Sequence, residues 1–294
     1  MNPLARSRVD PLRQATVSTQ RWEGTRAFAH QDELVVEEPL EIRVGSDTNP
    51  DDATAETLAV IMRTPGQDIE LAAGFLYTEG LIAGRGEISA IRPGLDADRL
   101  PSDNILDVIP QPGVDLRRRA REEGYSRKFA VNASCGICGK NTVAAACATL
   151  PSLPDDDFFV TPGVLYSLPD TLRAGQQVFA QTGGLHAAGI FDRAGNLIAL
   201  REDIGRHNAV DKLVGQAMLD GALPLARRIV MVSGRLSFEI VLKALAGGIP
   251  IIAAVSAPSS LAIDLAEAGG VTLVAFLRGT AANVYTHPHR IRAR

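Results

Sequence analysis

The sequence predicts an α/β protein in two parts, a small α+β domain over residues 22–110 and a larger domain over 161–294 built on a mostly parallel sheet. Three observations carry this. After Thr161, short apolar runs alternate with helix-length stretches, a spacing that sets strands side by side in parallel and packs helices on both faces. Before Gln111, strand-like runs outnumber helices. Between the two, residues 111–160 are charged and glycine-bearing, as a linker would be. With 294 residues and 46% hydrophobic content, the chain has ample material for two cores.

In chain order, residues 1–21 carry arginine, proline and polar groups and are expected to form a disordered lead-in. Leu40 to Val44 alternates as a half-buried strand, and Thr57 to Met62 reads as a more buried one. Asp68 to Ile82 follows as a helix capped by Asp68. Ile88 to Ile91 and Ile105 to Ile109 are further strands. In the second domain, Ser167 to Gln181 forms a helix stopped by Gly183-Gly184. A hairpin pairs His186–Ile190 with Leu197–Leu200. The succession then runs helix Arg206–Leu219, strand Ile229–Val232, helix Ser237–Ala246, strand Pro250–Val255, helix Ser259–Ala268 and strand Val271–Leu277.

A formal charge of −4 and a pI near 5.8 argue against a nucleic-acid binder, which needs a basic surplus or face. The one concentrated basic run, Arg117-Arg118-Arg119-Ala120-Arg121, is followed by Glu122-Glu123 and reads as a solvated helix face. The longest apolar run, Ile249 to Val255, is strand-sized, and Met1 to Gln20 holds no apolar core of signal-peptide length. These predict a cytoplasmic protein with no membrane span.

Cys135-Gly136-Ile137-Cys138 is the run richest in chemistry. The chain's third cysteine, Cys147, lies in an apolar stretch and reads as a core thiol, so four-thiolate structural zinc is ruled out. Two thiols at this spacing can share a proton, close a small disulfide or pass a sulfur atom. Gly136 and Gly139 argue against the alternative of a buried pair of small residues, and Lys140, Lys128 and Arg127 bring positive charge that lowers a thiol pKa.

In an open parallel sheet, ligands bind beyond the carboxyl ends of the strands. Three strand ends share one character: Ser233-Gly234-Arg235, Ser256-Ala257-Pro258-Ser259-Ser260 and Arg278-Gly279-Thr280. Small hydroxylated residues, arginines and helix N-termini form an anion-compatible rim there. Glu202-Asp203-Ile204-Gly205-Arg206-His207-Asn208 opens a helix nearby with two carboxylates, a guanidinium and an imidazole. No Walker loop or dinucleotide fingerprint is present. No set of ligands suggests a catalytic metal; His186 reads as a packed strand residue, and His287 and His289 as part of a solvated tail.

Together, Ser134-Cys135-Gly136-Ile137-Cys138-Gly139, the run Glu202 to Lys212, Ser233-Gly234-Arg235 and Val284-Tyr285-Thr286-His287-Pro288 resemble the formate dehydrogenase accessory sulfurtransferase family, FdhD. The resemblance covers about Asp32 to Ile291. It implies a sulfurtransferase that takes persulfide sulfur from a cysteine desulfurase and gives it to the molybdenum cofactor, as a bis-guanylyl molybdopterin species, before insertion into formate dehydrogenase. Cys135 would carry the persulfide and Cys138 would assist. The cofactor would lie on Phe276, Leu277, Arg278, Gly279, Thr280 and Ala281, with Ser233 and Arg235 of the anion-compatible rim adding to its hold. Thr280-Ala281 departs from a frequent family ending in arginine. The resemblance also implies a homodimer and a cytidine deaminase-like three-layer C-terminal domain without zinc. The places where zinc deaminases carry their metal motifs read Gly205-Arg206-His207-Asn208 and Ser233 to Ser237. A dithiol oxidoreductase and a cofactor-binding chaperone that moves no sulfur are the alternatives.

Overall fold

In a computed structural model of the chain, residues 13–45, 55–123, 130–131, 153 and 157–293 are described. Cys135, Cys138 and Cys147 lie outside the described residues.

The chain enters as a two-stranded ribbon, β1 (Gln14–Glu23) and β2 (Arg26–Val35), turning at Gly24 with φ 60°. This corrects the expected lead-in over its last eight residues, Gln14 to Arg21. The ribbon is exposed on nearly every side chain, so no buried face left an apolar alternation to read. β3 (Glu38–Val44) follows, with Leu40, Ile42 and Val44 buried and Glu41 and Arg43 directed outward. β4 (Glu56–Arg63) pairs antiparallel with it.

Helix α1 (Asp68–Thr78) ends four residues before the sequence predicts, because Gly80 turns the chain at φ 76°. Asp68 is its first residue and not its cap. Its carboxylate instead accepts from Arg63 Nε at 3.0 Å, pairing a guanidinium that is almost wholly buried. β5 (Ile88–Leu95) and β6 (Pro101–Pro110) close the domain.

The expected linker contributes to this domain. Helix α2 (Leu116–Glu122) buries Leu116 and Ala120 and holds Glu87 through Arg119 at 2.6 Å. β7 (Ala130–Val131) adds a parallel strand at the far edge of the sheet, whose order is β5-β6-β3-β4-β7. The basic run thus spends one arginine on a partly buried ion pair that lowers the Glu87 pKa, chiefly through the Arg119 hydrogen bond.

The predicted helix over 167–181 is two helices, α3 (Pro162–Gly175) and α4 (Gln177–Thr182), broken at Gln176. Then come β8 (His186–Phe191), β9 (Leu197–Asp203), α5 (Arg206–Leu219), β10 (Ile229–Val232), α6 (Phe238–Ala246), β11 (Ile251–Ala254), α7 (Ser260–Gly269), β12 (Thr272–Arg278) and β13 (Ala281–Val284). The six strands order β13-β12-β11-β10-β8-β9. The sheet is mixed and not mostly parallel: only β10–β11 and β11–β12 pair in parallel, while β8–β9, β8–β10 and β12–β13 are antiparallel. Links as short as Gly279-Thr280 cannot carry a chain back to the start of a parallel neighbour, so they reverse it.

The two domains meet where α1 crosses α5. A β-carbon on Gly74 would overlap the Asp211 carbonyl, and one on Gly215 would overlap the Glu70 carbonyl. Glycine at both positions lets the two backbones touch. Met218 of α5 completes the core of the first domain.

Candidate functional site

Strand directions assemble the site. β9 runs antiparallel to β8, and β8 antiparallel to β10, so β9, β10, β11 and β12 all end at one edge, where β8 begins. This rim carries Asp203, His186, Ser233, Ser256 and Arg278. Helices α5, α6 and α7 start there, their free N–H groups giving the edge positive character.

Loop-to-loop bonds brace the rim. Ser233 N donates to Ala187 O, and Ala187 N donates back to Ser233 Oγ, both at 2.9 Å. Leu236 and Pro258 form a bridge, Ser259 N donates to Leu236 O at 2.9 Å, and Phe276 N donates to Ser256 O at 3.2 Å. The sequence-predicted positions at both ends are therefore brought to one edge. Ser233 follows β10 and Arg278 ends β12, so the two lie two strand spacings apart across β11, roughly 10 Å.

The segment from Phe276 to Ala281 is a bulge and tight turn. Phe276 has φ 52°, a left-handed conformation uncommon for an aromatic residue, and its ring is 40% exposed. Arg278, Gly279, Thr280 and Ala281 are exposed, with Arg278 Nε donating to Val255 O at 3.2 Å. The Leu277 side chain is fully buried in the core, so only its backbone reaches the rim.

Two residues left off the sequence-predicted site stand in it. Arg206 opens α5 with a buried Nε that has no hydrogen-bond partner among the described residues. His186 lies beside Gly234, and a β-carbon on that glycine would come to 3.4 Å from His186 Nδ1 and 3.8 Å from Arg206 Cδ. Burial first, then Arg206 and Arg235, push the His186 pKa down against the opposing pull of Asp203, which favours the neutral ring. Spacing offered no signal for this: His186 is twenty residues from Arg206, and only the β8–β9 register joins them.

The run from Glu202 to Lys212 turns out to be mainly a joint between domains. Asp203 is wholly buried and accepts from Lys212 Nζ at 2.7 Å, Asn208 Nδ2 at 2.8 Å and Gly205 N at 2.8 Å. Thr64, at the end of β4, donates its N–H to Asp203, accepts from Ile204 N through its hydroxyl and from Lys212 Nζ through its carbonyl. Glu202 accepts from Val178 N and Phe179 N at the start of α4.

A second buried knot forms at Asp211, the neighbour of Lys212 on α5. Lys243 Nζ reaches Asp211 at 3.0 Å and Glu79 at 2.9 Å, and Thr78 Oγ1 donates to Asp211 at 2.8 Å. Burial raises the Asp211 pKa to about 6 despite the opposing pull of Lys243. Asp211 and Glu79 hold the Lys243 ammonium charged against the cost of its burial.

His207 Nε2 lies 3.3 Å from Ser237 Oγ and 3.8 Å from Glu239. Among the described residues, no three His, Cys, Asp or Glu side chains gather as metal ligands. The Tyr285-Thr286-His287-Pro288 ending serves the opposite edge. Thr286 Oγ1 donates to Val271 O and accepts from Leu273 N at the start of β12, far from the rim.

Residues 35–292 match the model of the FdhD/NarQ family. A Streptomyces avermitilis protein named sulfur carrier protein FdhD is 47% identical over 293 residues, covering 98% of this chain and 96% of its own. One of the same name from Thermoplasma volcanium is 44% identical over 263 residues, covering 89% and 90%. A crystal structure of a formate dehydrogenase accessory protein from Desulfotalea psychrophila superposes with a TM-score of 0.71 at 25% identity, over 95% of this chain and all of that one.

Proposed function

This chain belongs to the FdhD/NarQ family, and from that premise we propose that it is a cytoplasmic sulfur carrier that moves persulfide sulfur from a cysteine desulfurase to the molybdenum cofactor of formate dehydrogenase. One observation supports it above the rest. β7 runs parallel to β4 and pairs Val131 with Ile61, and β4 ends at the Thr64 joint beside the rim. Cys135 follows Val131 by four residues, a reach of about 14 Å at full extension. At its last described residue, Val131, β7 thus points toward the anion-compatible edge.

The chemistry needs two thiols. Cys135 thiolate attacks the outer sulfur of the donor persulfide, forming a new S–S bond and expelling the desulfurase thiolate. Cys138 thiolate then attacks Cys135 Sγ, closing a disulfide and releasing the outer sulfur as hydrosulfide to the acceptor. That sulfur is reduced by two electrons and the thiol pair is oxidised, so a dithiol reductant must reset the protein.

Arg206, Arg235 and Arg278 with the N-termini of α5 and α6 suit the phosphates of a guanylyl cofactor, and exposed Phe276 suits a purine face. The larger domain serves as a cytidine deaminase-like scaffold turned to holding this acceptor. Where a zinc deaminase supplies thiolates it carries Ser233-Gly234-Arg235-Leu236-Ser237, so hydrolytic deamination is not its reaction.

Mass spectrometry after incubation with a cysteine desulfurase and cysteine tests the reading. The expected product carries one extra sulfur atom on Cys135. Loss of two hydrogens without a sulfur adduct would establish a dithiol oxidoreductase instead. Full formate dehydrogenase activity in cells carrying Cys135→Ala would establish a chaperone that moves no sulfur.

A further inference from the structure

We infer that His186 is a proton-coupled anion ligand: neutral while the rim is empty, its ring takes up a proton when a phosphate seats beside Arg206 and Arg235, and the imidazolium then donates a hydrogen bond to that phosphate. The inference rests on the reading of the rim as the seat of the cofactor's phosphates, and goes beyond it by assigning a residue and a proton to that seat.

The seat is built around a glycine. His186 opens β8 at the rim, half-buried, and Arg206 opens α5. Both side chains close over Gly234, where the missing β-carbon leaves His186 Nδ1 and Arg206 Cδ room to approach. Arg235 follows directly and is exposed. Neither α5 nor α6 is capped by a side chain, so both present the positive end of a helix to this place.

The ring has cations near it and no anion left to pair with. Its cross-strand neighbour on β9 is Asp203, but Lys212, Thr64, Asn208 and Gly205 already donate to the two Asp203 oxygens, which fills the four acceptor positions of a carboxylate. Among the described residues His186 has no hydrogen-bond partner. Burial first, then the charges of Arg206 and Arg235, hold the imidazole neutral against the pull of Asp203. A bound anion reverses this balance. Its charge offsets both guanidiniums and favours the imidazolium, which replaces a lone pair with a second donor. The proton comes from solvent on binding and returns to solvent on release. Affinity therefore rises as the pH falls through the liganded pKa of His186, and levels off below the unliganded one.

Proton NMR of the full-length protein reads the ring directly. The chain has five histidines, and the imidazole resonance lost in His186→Gln assigns the signal. With saturating guanosine diphosphate, the titration midpoint of that resonance is expected to rise by about one pH unit or more. In unliganded Arg235→Gln the midpoint should rise as well, because one of the two depressing charges is gone. In calorimetric titration with the same nucleotide, the wild type should gain affinity over His186→Gln by up to about tenfold between pH 8.5 and pH 6, the nucleotide's own titration cancelling in the comparison. Nucleotide that binds while the His186 midpoint stays where it was would overturn the inference and leave the reading of the rim standing. A wild type that binds no guanosine diphosphate at millimolar concentration would overturn both.

Discussion

Arg206 begins α5 with a buried Nε that no described group satisfies, and its charge is one of the causes that depress the His186 pKa. A guanidinium held this way is prepared to receive an anion, because the desolvation cost has been met before the ligand arrives. Arg206→Gln is therefore expected to weaken binding of a guanine nucleotide by about 10- to 100-fold in calorimetric titration. Persulfide loading of Cys135 should be unaffected, since that step uses only the thiol run. Unchanged nucleotide affinity would remove Arg206 from the site. Leu277→Met offers a contrasting case: its buried side chain makes it a packing residue, and binding should survive within a few-fold.

The crossing of α1 and α5 is the element most exposed to a single methyl group. Gly74→Ala or Gly215→Ala would drive a β-carbon into a backbone carbonyl, which cannot rotate away as a side chain would. Each is expected to cost about 3 kcal/mol or more in chemical denaturation, beyond the ordinary overpacking range, because the helices must separate. A loss below about 1 kcal/mol would mean the crossing is looser than described. Elements of this kind were unequally legible. The strands and helices from His186 to Leu277 were readable because each is apolar over one face or throughout, whereas the exposed strand Ala281–Val284 was not read. The ribbon Gln14–Val35 buries almost nothing and showed no such pattern. Pairing was harder still: Val131 joins Ile61 of β4 across seventy residues, and no local pattern announces that. The run Glu202 to Lys212 was legible as dense chemistry but not as a joint, since its main partner, Thr64, lies in the other domain.

At the scale of the whole molecule, two buried ionic knots fasten the domains, and they respond to different insults. Lys212 and Asp203 are both completely buried, so Lys212→Met strands a carboxylate and is expected to destabilise the protein by about 3–5 kcal/mol. The double variant Lys212→Met/Asp203→Leu should recover much of that, because no charge is then left without its partner. The Asp211 knot makes the pH prediction. Its folded-state pKa is raised to about 6, above the unfolded value near 4, so the folded protein holds a proton that the unfolded chain releases. Its contribution to stability is therefore fully present below pH 4 and lost as the pH rises through 6, a swing of order 3 kcal/mol. Glu239 works the other way: burial would raise its pKa, but the Ser237 hydroxyl, its own backbone N–H, His207 and Arg206 lower it, so its contribution falls as the pH drops. The Asp211 effect must accordingly be read as a difference. Denaturation of the wild type and of Asp211→Asn at pH 7.5 and pH 5 should show the wild type gaining on the variant at the lower pH, because asparagine cannot take up the proton. A difference that does not change with pH would show that Asp211 keeps an ordinary carboxylate pKa, and that Lys243 pairs with it charged throughout.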